Sequence, residues 1–239
     1  MTNVSALADQ IDAGLQRQGT PERAAQEKRY LKSDLDHYGV PVPAIRTVVW
    51  QAIGKLVLEH DQVTELVRVL WAGPVHERRM AAVQVLERRV DLLNEADAGL
   101  LEQLLREARG WALVDNLAAN VAGPLFEREE SFGEVLDRWA SDPDFWLRRS
   151  ALLAQLVPLR QGRGDFGRFA RYADAMLDEK EFFIRKAIGW VLRDTGKLRP
   201  ELVHDWLLPR AVRASGVTLR EAVKYLPAGQ RAAILVARG

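Results

Sequence analysis

The sequence predicts an all-α protein, a right-handed α-solenoid of stacked helix pairs with a concave face. Three observations carry that expectation. Apolar residues recur every three or four positions along nearly the whole chain, the period of a half-buried helix. Strand signals are almost absent: no Asn-Gly or Asp-Gly hairpin turn occurs, and no β-branched alternation lasts. A short basic motif also returns at a nearly constant interval. A chain of 239 residues, 48% of them hydrophobic, can bury a sizeable core. Residues 1–239 read as one domain, with N-terminal helices over 1–60 and helical repeats over 61–239.

The elements follow in order. Val4, Leu7, Ala8, Ile11 and Leu15 share one face of a helix over 3–18. Thr20-Pro21-Glu22 supplies an N-cap, a proline at the first helical position and a first-turn acid. The helix it opens is expected to reach about His37, with Gly39 ending it. Val40-Pro41-Val42-Pro43 reads as an extended connector. A third helix begins near Pro43 and carries Ile45, Val48, Val49, Ile53, Leu56 and Val57.

The repeat follows. Arg78, Arg148, Arg185 and Arg220 each open a similar basic-apolar segment, with gaps of 70, 37 and 35. The first gap is two spacings of about 35, so a missing member falls at Leu113. Trp111, Trp146 and Phe183 keep the same register. Each unit is then a helix pair that cannot bury its apolar face alone and stacks on its neighbours. The period resembles that of HEAT-like arrays. Asp142-Pro143, Gly162-Arg163-Gly164, Gly196, Pro200 and Ser215-Gly216 supply the breaks.

Composition excludes several classes. There is no cysteine, so disulfides and thiolate chemistry are out. His37, His60, His76 and His204 form no metal-binding spacing, and no metal is expected. No apolar run reaches the ~18 residues of a membrane span, and the first residues do not read as a signal peptide. A cytoplasmic monomer is the expectation. Charge is uneven. Residues 138–239 hold 19 Lys and Arg against 11 Asp and Glu, a net +8, while residues 1–137 hold 15 against 22, a net −7. A basic C-terminal half points to a polyanion met on one side.

The chemistry centres on Gly110-Trp111-Ala112-Leu113-Val114-Asp115. Trp111 and Asp115, four apart, project from one helix face. In the repeat register Asp115 aligns with Ser150, Ala187 and Ala222, all small. An acid in a close-packed slot costs free energy unless it is paired or faces a groove, so a departure from the array's own rule marks a candidate site. Arg148, Arg149, Lys186, Arg193 and Arg220 recur at equivalent positions and suit phosphate contact rather than base reading. Trp190 follows Gly189, which leaves room for a close approach. Trp71, Trp139 and Trp206 read as core.

Arg29-Tyr30-Leu31-Lys32, Trp111-x-x-x-Asp115, Phe145-Trp146-Leu147-Arg148-Arg149 and the block Glu181–Arg193 together resemble the AlkD-type DNA alkylation repair glycosylases. The resemblance runs from about Ala24 to Leu226. Val42 departs from it, standing where a polar residue is expected before Arg46. The resemblance implies a HEAT-like fold whose concave face grips duplex DNA containing alkylated bases. It also implies an N-glycosylase that releases cationic N3- or N7-alkylated purines without flipping the base, leaving an abasic site. By the same resemblance Asp115, Trp111 and Trp190 are the catalytic residues. By that match Arg149 and Tyr30 are DNA contacts; the recurring Arg148, Lys186, Arg193 and Arg220, with the less well matched Arg46, are expected to join them, and no cofactor is implied. Bulky adducts, as in self-resistance to a DNA-alkylating natural product, fall within the same expectation. The alternatives are a non-catalytic protein that binds DNA structure and a protein-binding scaffold.

Overall fold

A computed structural model describes residues 3–239. The chain divides into two compact units, Met1–Leu117 and Ala118–Gly239. Apart from one isolated bridge between Asp36 and Val75, the described residues contain helices and turns only. None of these helices is long and apolar enough to cross a membrane.

The first unit holds α1 (Val4–Gln18), α2 (Pro21–Leu31), α3 (Val42–Ile53), α4 (His60–Trp71), α5 (His76–Arg88), α6 (Ala98–Glu107) and α7 (Trp111–Leu117). α1 buries Val4, Leu7, Ala8, Ile11 and Leu15, the face its periodicity defines. α4 and α5 form one antiparallel pair, and α6 and α7 supply the next. No side chain of α2 is fully buried, though Ala24, Glu27 and Leu31 are half-buried. It stops at Leu31, six residues before the expected end, because Lys32 turns left-handed at φ 49°. The following loop is fixed from outside. Tyr38, Gly39 and Val40 donate their backbone N–H groups to the Glu77 carboxylate of α5, at 3.0, 2.6 and 3.1 Å. Gly39 sits at φ +81°, where an added Cβ would lie 2.2 Å from the Thr20 carbonyl oxygen. α3 also ends early, at Ile53, which leaves Val57 exposed.

The second unit begins with a π-helical turn, Ala118–Ala122, followed by α8 (Gly123–Arg128), α9 (Phe132–Trp139), α10 (Phe145–Leu153), α11 (Leu156–Arg160), α12 (Phe166–Ala175) and α13 (Phe182–Thr195). α14 (Pro200–Leu207), α15 (Gly216–Ala222) and α16 (Ala228–Arg238) complete it. α10, α13 and α15 start on Asp144, Glu181 and Ser215, whose side chains accept from the first-turn N–H groups. Trp71, Trp139 and Trp206 are buried, as expected of core tryptophans.

The repeat is visible in the polar links. His60 meets Asp97, Trp71 donates to Glu107, Tyr172 donates to Asp137, Lys186 meets Glu221 and Arg210 meets Asp174. Each link spans 35 to 37 residues, so each ties a side chain to the same place one repeat on. The register of the basic motif shifts by one. Arg79, Arg148 and Arg185 each donate to a carbonyl six residues upstream, those of Gly73, Asp142 and Glu179. Arg78 instead donates to Val69 and pairs with Asp12 at 3.2 Å. The recurring arginine is therefore first a clasp on the turn that precedes its helix.

Candidate active site and nucleic-acid interface

Helical spacing brings Trp111 and Asp115 together on α7, at its start and one turn in. Trp111 is half-buried, and its ring meets Tyr30 edge-on at 5.8 Å and 82°. Tyr30 itself is 72% exposed, at the end of α2. A small, shallow cleft opens beside Trp111, lined by Ser33, Leu35, His76, Arg109 and Gly110 among others. Arg109, just before the helix, has a left-handed backbone at φ 51°, a conformation uncommon outside glycine.

Asp115 is 9% exposed and is engaged by a neighbouring group. Ser150, Ala187 and Ala222, its counterparts in the sequence register, are completely buried. Asp115 lies three residues ahead of the π-helical turn. Such turns widen a helix by one residue and occur often at functional sites.

The second unit carries the basic candidates, most of which the fold employs. Arg148 pairs with Glu179 at 2.9 Å and donates to the Asp142 and Pro143 carbonyls. Arg149 is 2% exposed, donates to the Phe183 carbonyl and lies over the Phe183 ring at 5.7 Å. Lys186 and Arg193 both meet Glu221, and Arg193 also meets Asp194. These acids, already counted in the net charge of residues 138–239, stand directly against the candidate cations. Glu221 is held below the usual carboxylate range by its bond to Lys186 first, then by the charges of Lys186 and Arg193, against the effect of burial. Arg220 is exposed. In the first unit Arg46 donates to Gln84 at 3.0 Å and approaches Glu87 at 4.0 Å.

Trp190 is half-buried and donates its indole N–H to Asp194 at 3.3 Å. The space beside it at Gly189 is taken by α15 rather than left open. An added Cβ there would meet Glu221 Cβ at 2.8 Å and the Thr218 carbonyl oxygen at 2.9 Å. The sequence reading missed the acids that hold these cations, Glu179, Asp194 and Glu221. The interval of about 35 that organises the basic motif would have found them, since Arg160 to Asp194 and Lys186 to Glu221 span 34 and 35 residues. It also missed that Glu27, His37 and Glu77 each place one ligand-type atom within 4.8 Å of the others. Glu77 is committed there to its three backbone donors.

A helical-repeat fold with a carboxylate beside a tryptophan, and a cation-rich second unit, defines a class. Residues 11–226 match the family described as DNA alkylation repair enzyme, and the chain belongs to that family. Among curated proteins none matches by sequence. Solved structures share the fold. A predicted DNA alkylation repair enzyme from Enterococcus faecalis superposes with a TM-score of 0.78 at 22% identity, over 88% of this chain and 98% of that one. AlkD2 from Streptococcus mutans gives 0.61 at 16% identity, over 87% and 99%. The protein smu.31 from Streptococcus mutans UA159 gives 0.59 at 16% identity, over 76% and 91%.

Proposed function

We propose that this protein is a DNA N-glycosylase that hydrolyses the N-glycosidic bond of cationic N3- or N7-alkylated purines in duplex DNA, without flipping the base. One observation carries the reading: Asp115 is a nearly enclosed carboxylate, one turn from Trp111 and next to the π-helical turn. An alkylated purine bears a full positive charge. It departs as a neutral base, taking the electron pair of the C1′–N bond. The sugar becomes cationic as that bond lengthens, and a carboxylate nearby stabilises it. Asp115 also orients a water whose oxygen bonds to C1′, and the water's proton passes to the carboxylate or to solvent. The product is an abasic site. Asp115 is not without a partner, and a carboxylate has about four acceptor positions, enough to serve a water as well.

In this reading Trp111, Tyr30 and Trp190 lie against sugar and backbone and exclude bulk water. Arg220 and Arg46 contact phosphate. Arg148, Lys186 and Arg193 contribute to the grip through the edges their acids leave exposed. Arg149, being enclosed, acts through the start of α13 that it holds. The protein works as a monomer in the cytoplasm. A reaction that leaves the base stacked needs no base-sized pocket, so bulky adducts are within its reach.

The test incubates the protein with duplex containing 7-methylguanine and then treats with alkali. Strand breaks above the no-enzyme level are expected, and Asp115→Asn is expected to slow them by about 10²-fold or more. Breaks that do not exceed the control, or that Asp115→Asn leaves unchanged, sink catalysis at this site. The commitment of Arg148, Lys186 and Arg193 to carboxylates withdraws cations from phosphate and favours a second reading, a protein-binding scaffold. No duplex binding together with no excision of any small or bulky adduct would favour it.

A further inference from the structure

Asp194 is a carboxylate 2% exposed, inside the C-terminal half of α13, and four donors from one unit converge on it. Its Oδ2 accepts from Arg160 at 2.7 Å and from the Trp190 indole at 3.3 Å. Its Oδ1 accepts from Lys197 at 3.0 Å and from Arg193 at 3.3 Å. A buried carboxylate needs one good cationic partner to offset its desolvation. Three exceed that need. With Lys186 and Glu221 included, four cations share two carboxylates, which leaves a net +2. The cations are not sealed in, for the side chains of Arg160, Lys197 and Arg193 are 43%, 41% and 22% exposed. Lys197 also lies over the Tyr225 ring at 5.0 Å, which limits where its ammonium can go.

We propose that Asp194 is a positioning residue: it holds the Trp190 indole edge and the heads of Arg160, Arg193 and Lys197 in one arrangement, forming a grip for a single backbone phosphate of duplex DNA. The inference rests on the DNA reading above and adds a specific contact to it. Burial alone would raise the carboxyl's pKa, but Lys197, Arg160 and Arg193 outweigh burial and hold it below the usual range. The hub therefore stays ionised wherever DNA would be bound. Fixed cations lose little freedom when they meet a phosphate, whereas loose surface lysines and arginines lose more.

The idea makes a prediction with an unusual sign. Asp194→Asn removes a negative charge, so simple electrostatics predicts tighter DNA binding. A positioning role predicts weaker binding, by about threefold or more, because indole and cations lose their common anchor. Binding of the full chain to an undamaged duplex would be followed by fluorescence anisotropy over a salt series, with a thermal melt of each variant. Arg160→Gln and Lys197→Gln are each expected to weaken binding and to reduce the slope of log K against log salt by about 0.9. Trp190→Phe added to Asp194→Asn is expected to weaken binding by less than the two single losses together. The proposal is overturned if Asp194→Asn binds as tightly as the wild type or more tightly, or if neither cation variant changes the slope. Should Asp194→Asn fail to fold, the two cation variants decide alone, since their side chains are nearly half exposed. Excision of 7-methylguanine in the same preparations keeps the readings apart. Excision with unchanged slopes removes the grip alone, and slope loss without excision removes the reaction alone. A wild type that binds no duplex removes the DNA reading itself.

Discussion

The Glu77 carboxylate is completely buried, and three consecutive backbone N–H groups donate to it. Truncation leaves all three donors unmet, at about 1–3 kcal/mol each. Glu77→Ala is therefore expected to lower stability by about 3 kcal/mol or more, seen as a lower urea midpoint, and a shift below about 1 kcal/mol would show that the loop rearranges at little cost. Arg148 is a similar case on the basic side. Its bonds to Glu179 and to two carbonyls make Arg148→Ala a stability variant, expected to cost about 2 kcal/mol in the melt. At both residues the sequence displayed the charge and hid the partner. Arg148 and Arg149 are recognisable as a pair from their spacing, but nothing in a single sequence tells a phosphate contact from a clasp on the preceding turn. The difference lies in carbonyl groups, which have no letter of their own.

Among elements, α13 shows how a small residue sets a crossing. Gly189 lets α15 come so close that an added Cβ would overlap Glu221 and Thr218. Gly189→Val is expected to push α15 away and lower the melt by an amount equivalent to about 2 kcal/mol or more, with helical circular dichroism kept below the transition. A neutral effect would mean that the crossing is loose. The existence and order of the helices were readable, because apolar period and capping residues are local. Their ends were less so. α2 stops at Leu31 since Lys32 turns left-handed and Glu77, far along the chain, satisfies the loop instead. The π-helical turn after Leu117 carries no residue type that announces it. The candidate pair Trp111 and Asp115 was placed together for the opposite reason: both sit on one helix, within one turn.

For the molecule, acid stability separates two sets of groups. Burial first, then the charge of His37 stacked on it at 4.7 Å, pushes His76 down to about 4. His37 is also lowered, chiefly by burial. The unfolded chain therefore takes up protons on these rings before the folded one does. Their contribution is complete above the unfolded value near 6.5 and is lost as the pH falls through about 4. Asp194, Asp174 and Glu221, all held low by cationic partners, lose theirs as the pH falls from the ordinary carboxyl values of 3.8 and 4.5 down through their lowered ones. His60, raised by its bonds to Asp61 and then Asp97, acts in the opposite sense, weakened by a side chain that is 39% exposed. The melting temperature is thus expected to fall between pH 6.5 and 4.5, and His76→Gln to flatten that part of the profile while leaving the steeper loss below it. An unchanged profile in His76→Gln would place the acid sensitivity elsewhere.

The polar links that span one repeat bear on how such a chain can grow. Because His60, Trp71, Tyr172, Lys186 and Arg210 each reach a partner 35 to 37 positions away, inserting or deleting a few residues between them breaks every bridge that crosses the change. Duplicating a whole period would instead supply each orphaned side chain with a fresh partner of the same kind. A gene encoding this architecture is tolerant of copying in whole modules and intolerant of small slips in length.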